Sequence, residues 1–220
     1  MSKRHHLLPP SDDPLTAELK ASAASPTHAA AANTSSKMMY IIGASIVLIL
    51  AVVSNLGAVH AQCLPPCVPG DESIMKPKEH GTSHVPVQSD LRWGCDSDLA
   101  DQICNFNRHY AEHAGYWTGT TFLTKLDKES KVTFYDSNTG EEVFYAPEDR
   151  SWDDWIGESL SHGWPSFRDT EVNWDYVRVL ANGETVSLDG THLGHNLPDS
   201  KGNRYCINLV SIAGQPQEER

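Results

Sequence analysis

No charged residue stands between Lys37 and Asp71, and Met38 to Val53 is almost wholly apolar. Carried on through Leu56 to Ala61, the stretch reaches about twenty residues, the length a helix needs to cross the hydrocarbon core of a bilayer. This segment divides the chain. Residues 1–37, with the Ala/Ser/Pro/Thr-rich run Ala21 to Ala32, bury too little to offset their ordering entropy and read as a flexible tail. Residues 38–61 read as a single transmembrane helix. A signal cleaved near Ala61, after the small residues of Val59-His60-Ala61, and a composite organelle presequence stand as alternatives. Lys3, Arg4, Lys20 and Lys37 precede the span and no Lys or Arg follows it until Lys76. That bias puts the tail in the cytosol and the remainder in a lumen or outside the cell, membrane-bound by one pass or secreted after cleavage.

Residues 62–88 carry Pro65, Pro66, Pro69, Pro77 and Pro86 without apolar periodicity and read as a linker. Residues 89–220 then form the folded domain. Its first helix is expected from Asp96 to His109, where Leu99, Ile103, Phe106 and Tyr110 recur at spacings of four, three and four. Lys131 to Tyr135 and Glu141 to Tyr145 alternate about a turn and predict a hairpin. Ser151 can cap a short helix with Trp152, Trp155, Ile156 and Leu160 on its apolar side. Asn173 to Leu180, the turn Ala181-Asn182-Gly183 and Glu184 to Leu188 predict a second β unit, and Tyr205 to Ile212 has the character of a strand. The class is mainly β with short helices around a mostly antiparallel sheet. A net charge of −12 argues against a nucleic-acid partner and against tight contact with anionic lipid.

The cysteine count is odd: Cys63, Cys67, Cys95, Cys104 and Cys206. In an oxidising compartment Cys63 could pair with Cys67 and Cys95 with Cys104, leaving Cys206 as the free thiol. Alone, a cysteine inside a strand is a small buried hydrophobe. Its neighbours point to chemistry: Arg204 is a cation that favours a thiolate, and Asn208, two residues on, faces the same side of a strand. His192 and His195 lack partners for a metal set, and His109 and His113, four apart on the expected helix, read more readily as solvated or core residues. Trp164 and Phe167, held in a Gly-Pro turn, suit the wall of an apolar pocket.

Three clusters, Gly163-Trp164-Pro165-Ser166-Phe167, Thr191-His192-Leu193-Gly194-His195 and Arg204-Tyr205-Cys206-Ile207-Asn208, resemble in order and identity the signatures of the B class of methionine-R-sulfoxide reductases, over about residues 130–215. Between the last two, His195-Asn196-Leu197-Pro198-Asp199 departs from the family's His-Val-Phe-Pro-Asp. The resemblance implies an Mss4-like antiparallel β fold and a thiol-dependent peptide-methionine (R)-S-oxide reductase. Cys206 would attack the sulfoxide sulfur, His192 and His195 would hold or protonate its oxygen, and Asn208 would orient the substrate. Trp164, Phe167 and Arg204 would complete the substrate site. The family's zinc-binding cysteine positions fall on Asp136, Thr139, Val186 and Asp189, which implies no metal here. Its recycling cysteine falls on His162. Recycling would then pass to Cys95 or Cys104, or to an external reductant, a thioredoxin-like protein or a small thiol, with no cofactor in the chain. Two alternatives remain at this point: a non-catalytic binding module on the same fold, tethered to a membrane, and a reductase of free methionine sulfoxide or another small sulfoxide.

Overall fold

A computed structural model describes residues 63–217 of the chain, all within one compact unit. The candidate anchor and tail lie outside the described residues. Among the described residues no helix is long and apolar enough to cross a membrane.

The architecture is mainly β with short helices, as the alternation patterns predict. A two-stranded antiparallel ribbon joins β1 (Val132–Tyr135) to β2 (Glu142–Ala146). Five further strands, β3 (Ser166–Phe167), β4 (Val177–Val179), β5 (Glu184–Ser187), β6 (His192–Asn196) and β7 (Tyr205–Ile207), form an antiparallel sheet in the order β3-β7-β6-β5-β4. The core lies where the ribbon, the sheet and one longer helix meet. Phe134, Phe144, Trp117, Phe122, Trp155 and Phe167 interlock there, with Phe167 stacked on Phe144 at a centroid distance of 4.5 Å. The longer helix (Trp152–His162) starts on a capping box in which Ser151 Oγ accepts from the Asp154 amide at 3.1 Å. It buries Trp152, Trp155 and Ser159, while Leu160, expected on the same face, is exposed.

Three segments differ from their sequence patterns. The helix predicted from Asp96 to His109 is a short α-helix (Ser97–Asp101) running into a π-turn (Gln102–Phe106), closed by the Asn107 N–H donating to Gln102 O at 2.9 Å. The wider turn advances less per residue, so Ile103, Cys104 and Asn105 are buried in succession and Phe106 and Tyr110 face outward. The strand expected from Tyr205 to Ile212 stops at Ile207 and gives way to a 3-10 turn (Leu209–Ser211). The buried Glu112 carboxylate accepts from the Leu209 and Val210 amides at 2.9 and 3.1 Å, which removes their need for a neighbouring strand.

The proline-dense stretch expected as a linker is packed on the edge of the sheet from Cys63 onward. The Val179 N–H donates to Val68 O at 3.0 Å and the Gly70 N–H to Val179 O at 2.8 Å, so the segment extends the edge beside β4 while Pro69, which cannot donate, faces away from that need. Met75 is buried, and the Asn203 side chain accepts from the Leu64 N–H and donates to its carbonyl. Cys63 and Cys67 are joined by a disulfide. The second expected pair is not formed. Cys95 closes the turn after Arg92–Gly94, whereas Cys104 sits in the π-turn with its Sγ donating to Ser211 Oγ at 3.4 Å, and both are free and buried.

Asp136, Thr139, Val186 and Asp189 provide no thiolate. The Asp136 carboxylate is fully buried, with Oδ1 accepting from the Thr191 hydroxyl at 2.9 Å and the Asn138 N–H at 2.8 Å and with Oδ2 without a hydrogen-bond partner among the described residues. Among the described residues no group of three or more His, Cys, Asp or Glu side chains is placed to hold a metal. The residues present do not fit a zinc site. Asp136 instead ties the β1–β2 turn to the β5–β6 hairpin through its hydrogen bond from Thr191.

Candidate active site

Cys206 lies at the centre of β7, opposite His195 on β6 and Ser166 on β3. Residues directly opposite on neighbouring strands share a face, so the pairing alone brings one imidazole to the thiol. The second arrives through an irregularity. His192 and His195 are three apart and would face opposite sides of a regular strand, but the β5–β6 ladder steps from Thr185↔Gly194 to Val186↔His192, so Leu193 is an extra residue. This bulge turns both rings to one side, with centroids 5.4 Å apart, and sends Leu193 into the core. Gly194 makes the approach feasible: a Cβ there would lie 2.1 Å from the Cys206 carbonyl oxygen.

His192, His195, Cys206 and Asn208 line one cavity of about 280 Å³ together with Trp164, Gly194, Leu197 and the segment His109-Tyr110-Ala111. Asn208 is fixed at both ends of its amide, Oδ1 accepting from the Glu112 N–H at 3.2 Å and Nδ2 donating to Leu193 O at 3.2 Å, which leaves one Nδ2 hydrogen uncommitted. Trp164 donates its indole N–H to Glu112 O at 3.0 Å. Phe167 does not reach the cavity; it is wholly in the aromatic core, because the residue facing the Cys206 side at the β3–β7 pair is Ser166.

Arg204 is buried and does not line the cavity. Its Nε is 3.6 Å from Asp199 Oδ2, and Nε and Nη1 form no hydrogen bond among the described residues. Burial pushes the Cys206 thiol above its ordinary range; the Arg204 charge and hydrogen bond pull it back only in part, and Glu112 adds to the rise. The group therefore rests as a thiol, where the sequence argument favoured a thiolate. Burial also lowers His195, with the neighbouring His192 adding to the effect against the opposing pull of Glu184, so the His195 ring is held neutral.

Neither candidate recycling thiol lines the cavity. Cys95 is pushed up to about 12 and Cys104 higher still, in both cases first by burial. His162 faces a separate open groove of about 850 Å³ beside Glu158, Arg168 and Lys201.

The residues that sequence reasoning missed lie around this set. Glu184, at the start of β5, accepts from His192 Nδ1 at 2.8 Å with both groups 1% exposed. Arg108 forks onto Glu184, with Nε 3.1 Å from both oxygens and Nη2 2.6 Å from Oε2. Glu112 holds Asn208, Trp164 and the turn after β7, and burial pushes it up to about 7 against the amides of Leu209 and Val210. Tyr110 and Leu197 stand 53% and 47% exposed at the cavity mouth. Glu184 alone had a sequence signal, since the β5–β6 hairpin that turns between Ser187 and Thr191 sets it opposite the second histidine of the next strand.

Three curated relatives match part of the chain, each named peptide methionine sulfoxide reductase MsrB. The one from Leifsonia xyli is 38% identical over 69 residues, covering 26% of this chain and 49% of the relative. Those from Methanosarcina mazei and Methanosarcina barkeri are 37% and 38% identical over 68 residues, covering 26% of this chain and 48% and 47% of the relatives. The chain thus carries an MsrB-like domain, and it spans about half the length of the curated relatives it matches. No family model and no solved structure matches it.

Proposed function

We propose that this chain reduces methionine R-sulfoxide within peptides, with Cys206 as nucleophile and an external thiol as the source of electrons. The observation that carries the reading is the single cavity in which Cys206, His192, His195, Asn208 and Trp164 converge. The Cys206 sulfur attacks the sulfoxide sulfur while the thiol proton and a proton from an imidazole neutralise the departing oxygen, which leaves only when protonated. The S–O bond of the substrate breaks and its oxygen departs as water, leaving a Cys206–methionine sulfonium; water then attacks the Cys206 sulfur, the S–S bond breaks with its electron pair going to methionine, Cys206 becomes a sulfenic acid and the imidazole recovers its proton. A thiol then condenses with the sulfenic acid, releasing water, and a second thiol resolves the mixed disulfide and restores Cys206. A neutral resting thiol suits this sequence, because the nucleophile arrives with one of the protons that the oxygen needs.

The substrate is peptidyl on this reading because no Lys, Arg, Asp or Glu lines the cavity. A free amino acid would bring an ammonium and a carboxylate to a mouth without counter-charges, whereas backbone amides ask only for neutral surroundings. The R configuration rests on the three-motif resemblance. The apolar segment 38–61 adds membrane attachment by one pass, which carbonate extraction of the full chain from its native membranes checks.

The test is turnover of the full chain with dithiothreitol and the two diastereomers of a methionine sulfoxide peptide. The R peptide should yield methionine repeatedly and Cys206→Ser should yield none. A preference for S, or no methionine under excess dithiol, overturns the reading. A second reading, a module that recognises oxidised methionine without recycling, draws on the burial of Cys95 and Cys104 away from the cavity. Its signature is at most one methionine per chain.

A further inference from the structure

We propose that Arg108 and Glu184 act as positioning residues that divide the labour of the two imidazoles, making His192 the proton donor to the sulfoxide oxygen and leaving His195 a neutral neighbour. The inference rests on the reductase reading above and concerns the same cavity.

His192 Nδ1 is 2.8 Å from Glu184 Oε1, and the hydrogen bonds from His192 and Arg108 outweigh burial to hold that carboxyl at about 2. An ionised carboxylate can only accept, so Nδ1 carries the hydrogen and the tautomer is fixed. The nitrogen left for the cavity is Nε2. When Nε2 takes a proton, the cation forms against a buried anion that is already oriented. His195 has no such support: its ring makes no hydrogen bond among the described residues, and a second cation 5.4 Å away would be repelled.

The local charge count agrees. Arg108 Nη1 also reaches Glu72 at 2.6 Å, so the chain Glu72, Arg108, Glu184, His192 is −1 with a neutral imidazole and balanced with one imidazolium. The other titratable groups near His192 do not compete for the role: His195 is on its own strand, Cys206 is on β7, and His109 stands on the exposed segment across the cavity, while Glu112 is turned to the amides after β7. Arg108 belongs to a segment far from Glu184 in sequence, so the pairing also locks that segment to the sheet.

The test uses the full chain, an R-sulfoxide peptide and dithiothreitol, with Glu184→Gln and, in case that buried change prevents folding, Arg108→Gln on the partly exposed partner. Glutamine keeps an acceptor for Nδ1 but removes the charge. Glu184→Gln should lower kcat by about 10- to 100-fold with KM nearly unchanged, in line with the loss of an orienting partner of a working histidine. The alkaline limb of its kcat–pH profile, set by loss of the donated proton, should move to lower pH, and Arg108→Gln should show a smaller change of kcat with Arg108→Lys partly restoring it. Imidazole nitrogen NMR of the wild type should show His192 with hydrogen on Nδ1. A His192 with hydrogen only on Nε2, or variants that turn over with an unmoved pH profile, overturns the inference. A wild type that releases no methionine overturns the reductase reading instead, whatever the tautomer.

Discussion

The two walls of the Cys206 cavity are held in place by different physics. The sheet wall carries Cys206, His192 and His195 on adjacent strands, and backbone ladders, a bulge at Leu193 and the close approach at Gly194 set its geometry. The opposite wall, residues 107–112, has no regular structure. Side chains hold it: Arg108 on Glu184, Glu112 on the amides of Leu209 and Val210, and Asn208 and Trp164 on the Glu112 backbone. A wall fixed by backbone hydrogen bonds keeps its shape when side chains or pH change. One pinned by buried charge depends on the protonation state of its pins.

The largest expected effect isolates the sheet wall. Cys206→Ser should abolish methionine formation while leaving the circular dichroism spectrum and the melting temperature nearly unchanged, since the side chain adds no structural bond to the ladder. A folded variant that still reduces sulfoxide would break the comparison at its base. Next comes the pin on the other side. Glu112→Ala leaves two buried N–H groups without an acceptor, each at about 1–3 kcal/mol, so urea unfolding should show a loss of about 2–6 kcal/mol. A loss under 1 kcal/mol would mean that water replaces the carboxylate and that the wall is not held as described.

A smaller effect is the pH dependence of stability. Burial raises Glu112 to about 7 and Asp136 to about 6. A carboxyl raised in the folded state stabilises fully below its unfolded value near 4, and that contribution is lost as pH climbs through 6 and 7. The urea midpoint should therefore fall between pH 4.5 and pH 8, and Glu112→Gln and Asp136→Asn should each flatten the fall. A midpoint flat in wild type would refute the charge argument for both. The smallest effect sharpens the contrast at the mouth: Tyr110→Ala should raise KM for a sulfoxide peptide by a few-fold and leave kcat unchanged, consistent with about 1 kcal/mol of apolar contact. A fall in kcat alone would place Tyr110 nearer the chemistry than its exposure indicates.

This contrast also marks what the sequence could convey. The motifs at 163–167, 191–195 and 204–208 name the residues of the sheet wall and, through alternation, the strands that hold most of them. Phe167 was assigned to the pocket because a turn motif does not show which of two adjacent residues faces the thiol, and pairing gave that place to Ser166. The other wall left no periodic trace. Phe106 and Tyr110 keep helical spacing through a π-turn that puts them outside, and Arg108 meets Glu184 across 76 positions, a contact that neither local propensity nor motif spacing encodes. The linker misreading has the same origin: proline density reports a shortage of N–H donors, and an edge strand that needs only Val68 and Gly70 tolerates it.

Gly194 carries a consequence beyond packing. With no space for even a methyl group against the Cys206 carbonyl, the strand of Cys206 and the strand of the two imidazoles are riveted at a fixed gauge. A change on the far bank of the cleft, at His109 or Tyr110, would then alter what the pocket admits while sulfur and rings keep their spacing.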